Sequence, residues 1–253
     1  MNLRPALLLL AASLLAGCVS TGDVDPMKTD KGRAEARDAY TRLGIGYIQQ
    51  GETERAKIPL KKALELDSSD AGAHAALALV FQVEMEPKLA DEHYRKALSQ
   101  RSNDARLLNN YGSFLFEQQR YQEALERYTQ ASLDTLYPER SRVFENLGLT
   151  SLQLQQREQA KGYFERSLRL SSRQPRALIE MAQLSYDDKQ YVPARAYYES
   201  YMALAVDHDA RSLLLGVRLA KIFEERDNAA SLGLQLKRLY PGTPEYQQYL
   251  SEQ

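Results

Sequence analysis

Among the 253 residues one cysteine occurs, Cys18, and it follows directly on Leu15-Ala16-Gly17 at the end of an apolar run. With no partner for an internal disulfide, its thiol is either a site for covalent acylation or a free exported thiol. Arg4 supplies a positive start and Leu7 to Leu15 an apolar core, and small residues lead up to Cys18, the pattern of a secretory signal. The run is shorter than a bilayer-spanning helix requires, and no second apolar segment stands behind it. Other reactive groups are sparse. His74, His93 and His208 are scattered, and no Cys, His, Asp and Glu grouping has metal-ligand spacing. There is no Gly-rich phosphate loop and no Gly-x-Ser-x-Gly elbow. The residues therefore point away from an enzyme, and no cofactor is expected.

Leu15-Ala16-Gly17-Cys18 resembles a bacterial lipobox. The resemblance implies diacylation of the Cys18 sulfur, cleavage before Cys18 and acylation of the freed amine. One acyl chain holds a protein weakly to a leaflet, whereas several hold it firmly. Val19-Ser20, rather than Asp, follows the cysteine, which under the familiar lipoprotein sorting rule implies the outer membrane. Loss of residues 1–17 removes Arg4 and no acid, leaving 32 basic against 34 acidic residues, a charge of -2. So small a net charge gives no general affinity for nucleic acid. From Val19 to about Ala34 the chain is polar, with too few apolar groups to repay ordering, and residues 18–36 read as a tether. Fully extended, Val19 to Ala34 would reach on the order of 50 Å.

The remainder, 37–253, repeats. Leu43, Gly44 and Tyr47 are followed, across the break at Gln50-Gly51-Glu52, by Ala56, Leu60 and Ala63, a spacing that suits two helical faces. About 34 residues later come Leu77, Ala78, Phe81, Ala90, Tyr94 and Ala97, the period of a helix-turn-helix solenoid. This pattern resembles the tetratricopeptide repeat (TPR). The resemblance implies an all-α, right-handed superhelical solenoid of about six repeats, near 37–70, 71–104, 105–140, 141–174, 175–208 and 209–242. Repeat three carries Tyr111, Gly112, Ala124, Tyr128 and Ala131 and runs about two residues long; repeat four carries Phe144, Leu147, Gly148, Ala160, Phe164 and Ser167. In repeat five, Tyr201 stands where a small residue is usual. Repeat six is read from Leu215, Gly216, Ala229 and Gly233, with one extra residue in its turn. Pro59 falls inside the second helix of repeat one and removes a backbone hydrogen bond, so either a local bend or simple tolerance is expected there.

A helical solenoid offers a concave face made by the first helix of each repeat, onto which a peptide or partner helix can lie. Carried over from the TPR pattern, the groove positions are Ile45 and Ile48, Leu79 and Val83, Asn109 and Phe116, then Leu149 and Leu152. Ile45, Ile48, Leu79, Val83 and Phe116 form the partner-binding hypothesis. The alternative is that neighbouring segments cover some of them. Where TPR domains that clamp a terminal carboxylate use Lys, Arg and Asn, the first repeat has Thr41 and Ile45, which disfavours that role there.

The lipobox, tether and six repeats, together with Lys28-Thr29-Asp30-Lys31-Gly32-Arg33, Glu84-Met85-Glu86-Pro87-Lys88-Leu89-Ala90 and Tyr137-Pro138-Glu139-Arg140-Ser141-Arg142-Val143-Phe144-Glu145-Asn146-Leu147-Gly148, resemble the type IV pilus biogenesis lipoproteins of the PilF and PilW family. The resemblance implies a pilotin: an outer-membrane lipoprotein, facing the periplasm, that binds subunits of the pilus secretin and promotes their assembly. It implies no nucleic acid and no small-molecule substrate. A general periplasmic TPR scaffold for cell-envelope machinery is the alternative.

Overall fold

The computed structural model describes residues 25–204 and 207–252. Residues 1–17, Cys18 and the first part of the tether lie outside the described residues. A 3-10 turn at Pro26–Lys28 leads into the first of two compact units, which holds α1 (Asp30–Gln49), α2 (Thr53–Leu66), α3 (Ala71–Val83) and α4 (Pro87–Gln100). The second unit holds α5 (Ala105–Glu117), α6 (Tyr121–Ala131), α7 (Arg140–Gln153), α8 (Arg157–Leu170), α9 (Pro175–Asp187), α10 (Tyr191–Met202), α11 (Ala210–Ile222), α12 (Arg226–Leu239) and α13 (Pro244–Ser251). The described residues contain no strand, and the fold is an all-α array of TPR hairpins. No described helix is long and apolar enough to cross a membrane.

The first helix of most hairpins opens on a short oxygen-bearing side chain that takes up an orphan N–H. Thr29 Oγ1 accepts from Gly32 N at 3.0 Å, Asp70 Oδ1 from Ala73 N at 2.6 Å, Asp104 Oδ1 from Leu107 N at 3.0 Å and Asp209 Oδ1 from Ser212 N at 2.8 Å. α9 has Pro175 at its start instead, where a missing N–H costs little.

Each hairpin turns through one residue of positive φ: Gly51 at 77°, Met85 at 57°, Gln119 at 59°, Gln155 at 59°, Lys189 at 60° and Glu224 at 60°. The next N–H reaches back five residues to close the helix, as in Glu52 N to Tyr47 O at 2.9 Å and Gln156 N to Ser151 O at 2.8 Å. Both contacts fit the Schellman geometry, which ends a helix by satisfying its last carbonyls. Only the first of the six is glycine, yet all six mark the register.

Counted from that residue, the seam repeats. A small residue seven positions earlier lets the second helix approach. Gly44 lies against Leu60, Gly112 against Tyr128 and Gly148 against Phe164, and all three large side chains are buried. Ala56, Ala90, Ala124, Ala160 and Ala194 are fully buried on the second helices. Tyr201 is buried too, against the His208 ring at 5.3 Å, and the 203–209 connection after it is the one that gains a residue.

Two expectations need correction. The tether of 18–36 is helical from Asp30, because Thr29 caps α1, Arg33 donates to Leu66 O at 3.3 Å, and Arg37 pairs with Asp67 at 3.1 Å and Asp70 at 3.3 Å. Polar composition hid a helix held by ion pairs to the connection between α2 and α3. In repeat six the residue seven before Glu224 is Val217, not Gly216, and the turn has the ordinary length; the extra residue precedes α11. Gly233 occupies the place that Leu60, Tyr128 and Phe164 fill elsewhere, and Tyr249 of α13 packs over it. α13 is thus a cap on the last hairpin, opened by Thr243 and Pro244. α2 runs through Pro59 as one helix, with Pro59 buried.

Candidate protein-binding face

In the first unit, α1 and α3 are joined at one end by a polar cluster. Arg37 binds Asp67 and Asp70, and Thr41 Oγ1 donates to Asp70 Oδ1 at 3.4 Å while that same oxygen caps α3. Along the helices from there the side chains turn apolar. Ile45 is 39% exposed and Val83 64% exposed. Leu79 is half-buried, and Ile48 is half-buried against the cluster of Ala56, Leu60, Ala63 and Leu77. Ile45 and Val83 are therefore open to a partner. Ile48 is shared with the core, the covered alternative realised at one position. Exposed Met85 follows Val83 at the turn.

In the second unit the carried-over positions divide differently. The Phe116 ring is half-buried, with its edge toward Tyr121 at 5.3 Å between centroids. It braces the α5–α6 turn. Leu149 and Leu152 pack on Ala160, Phe164, Ala177, Met181 and Leu184. Asn109 is 6% exposed and accepts from Asn146 Nδ2 at 3.1 Å, linking α5 to α7. Buried Glu145 accepts from Ala177 N at 3.1 Å, linking α7 to the first turn of α9. Burial pushes the Glu145 carboxyl up, opposed by the Ala177 N–H and by the fields of Arg176 and Arg142. Glu180 receives both Arg211 nitrogens at 2.7 and 3.0 Å, linking α9 to α11. These polar links between successive first helices were not read from the sequence. The turn register would have found them, since Asn146 and Glu180 each lie nine residues before the positive-φ residue of their repeats.

The histidines are not all scattered. His74 Nδ1 lies 2.9 Å from His93 Nδ1, and His74 Nε2 lies 3.1 Å from Ser68 O. A carbonyl only accepts, so His74 carries its proton on Nε2 and His93 donates from Nδ1. No group of three or more metal-ligating side chains is assembled among the described residues.

Residues 103–173 and 38–70 match family models described as tetratricopeptide repeat. Over 252 residues the chain is 64% identical to the type IV pilus assembly protein PilF of Pseudomonas aeruginosa, an alignment covering 100% of both chains. A solved structure from the functional characterization of that PilF matches with a TM-score of 0.85 at 65% identity, covering 88% of this chain and 100% of the other. The crystal structure of PilW, a widely conserved type IV pilus biogenesis factor, matches with a TM-score of 0.71 at 28% identity, over 85% of this chain and 98% of that one. The sequence agrees along the whole length and the fold over 88% of the chain, and the chain belongs to the PilF family of type IV pilus assembly proteins.

Proposed function

We propose that the chain serves type IV pilus biogenesis as a pilotin, a lipoprotein anchored through Cys18 in the outer membrane that binds secretin subunits and promotes their multimerisation. The observation that carries this reading is the 64% identity to PilF over the full length of both chains. A TPR array is a binding fold, which fits a part in assembly rather than in chemistry. The apolar row of exposed Ile45 and Val83 with half-buried Leu79 is the surface we assign to the secretin, because apolar side chains left in water gain free energy when a partner covers them. Cys18 supplies the anchor in this reading, and the few residues between it and α1 hold the repeats near the membrane surface.

The test is a strain lacking the chain, complemented or not. With the protein present, secretin should co-purify with it from detergent-solubilised outer membrane and run as a heat-resistant multimer on a gel. Without it, the multimer should be lost or found in the wrong membrane. An unchanged multimer in the right membrane would leave only a general envelope scaffold.

A further inference from the structure

Counting thirteen residues back from each positive-φ turn residue gives Asp38 and Gly72 in the first unit, and Arg106, Arg142, Arg176 and Arg211 in the second. Four successive first helices, α5, α7, α9 and α11, thus carry an arginine at the same place in the first turn, and all four are exposed. They share one face, because the bonds from Asn109 to Asn146, from Glu145 to Ala177 N and from Glu180 to Arg211 run from helix to helix along it. Arg106 and Arg142 both act on the Tyr137 hydroxyl, and Arg142 and Arg176 both act on Glu145, so the fields of these three overlap in turn.

Their partners differ in an informative way. Arg211 grips the Glu180 carboxylate through two parallel bonds, the planar fork that arginine forms with a carboxylate. Arg106 and Arg176 have no acidic group within ion-pair distance among the described residues, and Arg142 holds only the exposed Glu139 at 3.0 Å. Carboxylates near the row are otherwise engaged: Asp104 caps α5, and Glu145 is 6% exposed and bound to α9. The helix N-termini beneath the arginines add to the positive potential. Beside the row, the Asn109–Asn146 pair uses one donor and one acceptor between its two amides. Whichever way the amides are turned, amide N–H and C=O capacity is left over, the complement of a peptide backbone.

We propose that this face of the second unit binds an acidic, extended peptide segment of a partner protein, with Arg106, Arg142 and Arg176 taking successive carboxylates and the asparagine pair taking the backbone between them. The amide pair favours a peptide over an anionic lipid, which offers charge but no regular backbone donors and acceptors. The site goes beyond the pilotin reading and does not rest on it: it is in the other unit from the apolar row and takes the opposite kind of chemistry.

The experiment uses the full chain in detergent and a short fluorescein-labelled peptide of alternating Glu and Ser, read by anisotropy. A matching Lys and Ser peptide and vesicles of phosphatidylglycerol are the comparisons. Binding of the acidic peptide should weaken as salt is raised, and the triple variant Arg106→Gln, Arg142→Gln, Arg176→Gln should weaken it by about tenfold or more. Replacement of the same three by Lys should lose less, because charge remains while the fork is gone. Helical melting of each variant should match the parent, as these side chains are exposed. No binding of the acidic peptide at low salt, equal binding by the triple Gln variant, or loss of vesicle binding with peptide binding unchanged would each overturn the proposal.

Discussion

Gly148→Ala tests whether the seam between paired helices is set by small residues. A Cβ built at Gly148 would stand 2.6 Å from Phe164 Cδ1 and 2.8 Å from Cζ, against ordinary carbon contacts of about 3.5 to 4 Å. The ring has to retreat by about 1 Å, and it is fully buried among Ala160, Ala177, Met181 and Leu184. Overpacking of that kind costs about 2 to 3 kcal/mol at its upper end, while Ala gains about 1 kcal/mol over Gly in a helix. The net is a loss of about 1 to 2 kcal/mol, or a fall in Tm of roughly 2 to 8 °C for a chain of this size. Gly162→Ala is the matched control: it lies exposed in the middle of α8 with nothing within 4 Å of the added carbon. There only the propensity gain remains, and Tm should rise by a few degrees, about 2 to 4 °C per kcal/mol. Thermal melts followed by circular dichroism at a helical wavelength decide it. A Gly148→Ala protein that melts at or above the parent would refute the seam argument, as would a fall in both variants.

The positive-φ turns give a second pair: Gly51→Ala should cost about 1 to 2 kcal/mol although nothing crowds the site, and Gln155→Gly should stabilise by up to about 1 kcal/mol, both read from chemical denaturation. Burial pushes the His93 pKa down to about 4, with His74 on α3 and Lys96 on its own helix adding to the shift and Glu92 opposing it. The unfolded chain takes up this proton near pH 6.5 and the fold does not. Stability is thus complete above pH 6.5 and declines as pH falls toward 4, by on the order of 2 kcal/mol. In His93→Gln that slope should flatten, and an unchanged pH profile of denaturation midpoints would contradict the assignment. Cys18→Ser should abolish incorporation of a labelled fatty acid, since no other thiol is present; label that persists would sink the lipoprotein reading.

The repeats were legible because their seam needs particular sizes. Gly44, Gly112 and Gly148 sit where a larger residue would strike Leu60, Tyr128 and Phe164, and such a constraint prints itself on the sequence. Where the constraint is met differently the reading slips. In α11 the position is held by Val217 and the large partner by Gly233, with Tyr249 of α13 filling the space, so the adjacent Gly216 drew the register off by one. Residues 30–36 looked like linker because what orders them, Arg33 on Leu66 O and Arg37 on Asp67 and Asp70, is contact with residues thirty or more positions away. The groove positions were half legible. Helical spacing placed Ile45, Leu79 and Val83 on first helices, but it could not tell that Ile48 would lean into the core or that Phe116 would brace a turn. The arginine row was invisible without the turn residues, because Gln119, Gln155, Lys189 and Glu224 do not look like turn formers.

The central claim is that the apolar row of α1 and α3 receives the secretin. Ile45→Glu and Val83→Glu place a carboxylate on side chains that are 39% and 64% exposed, so folding should survive and the helical melt should stay near that of the parent. Against an apolar partner each carboxylate would have to be desolvated without compensation. The measurement is the heat-resistant secretin multimer in cells that carry the double variant as their only copy. The account predicts that the multimer is lost or strongly reduced while the variant remains folded and membrane-associated. A multimer at the parental level, with both substitutions present in a folded protein, would contradict it.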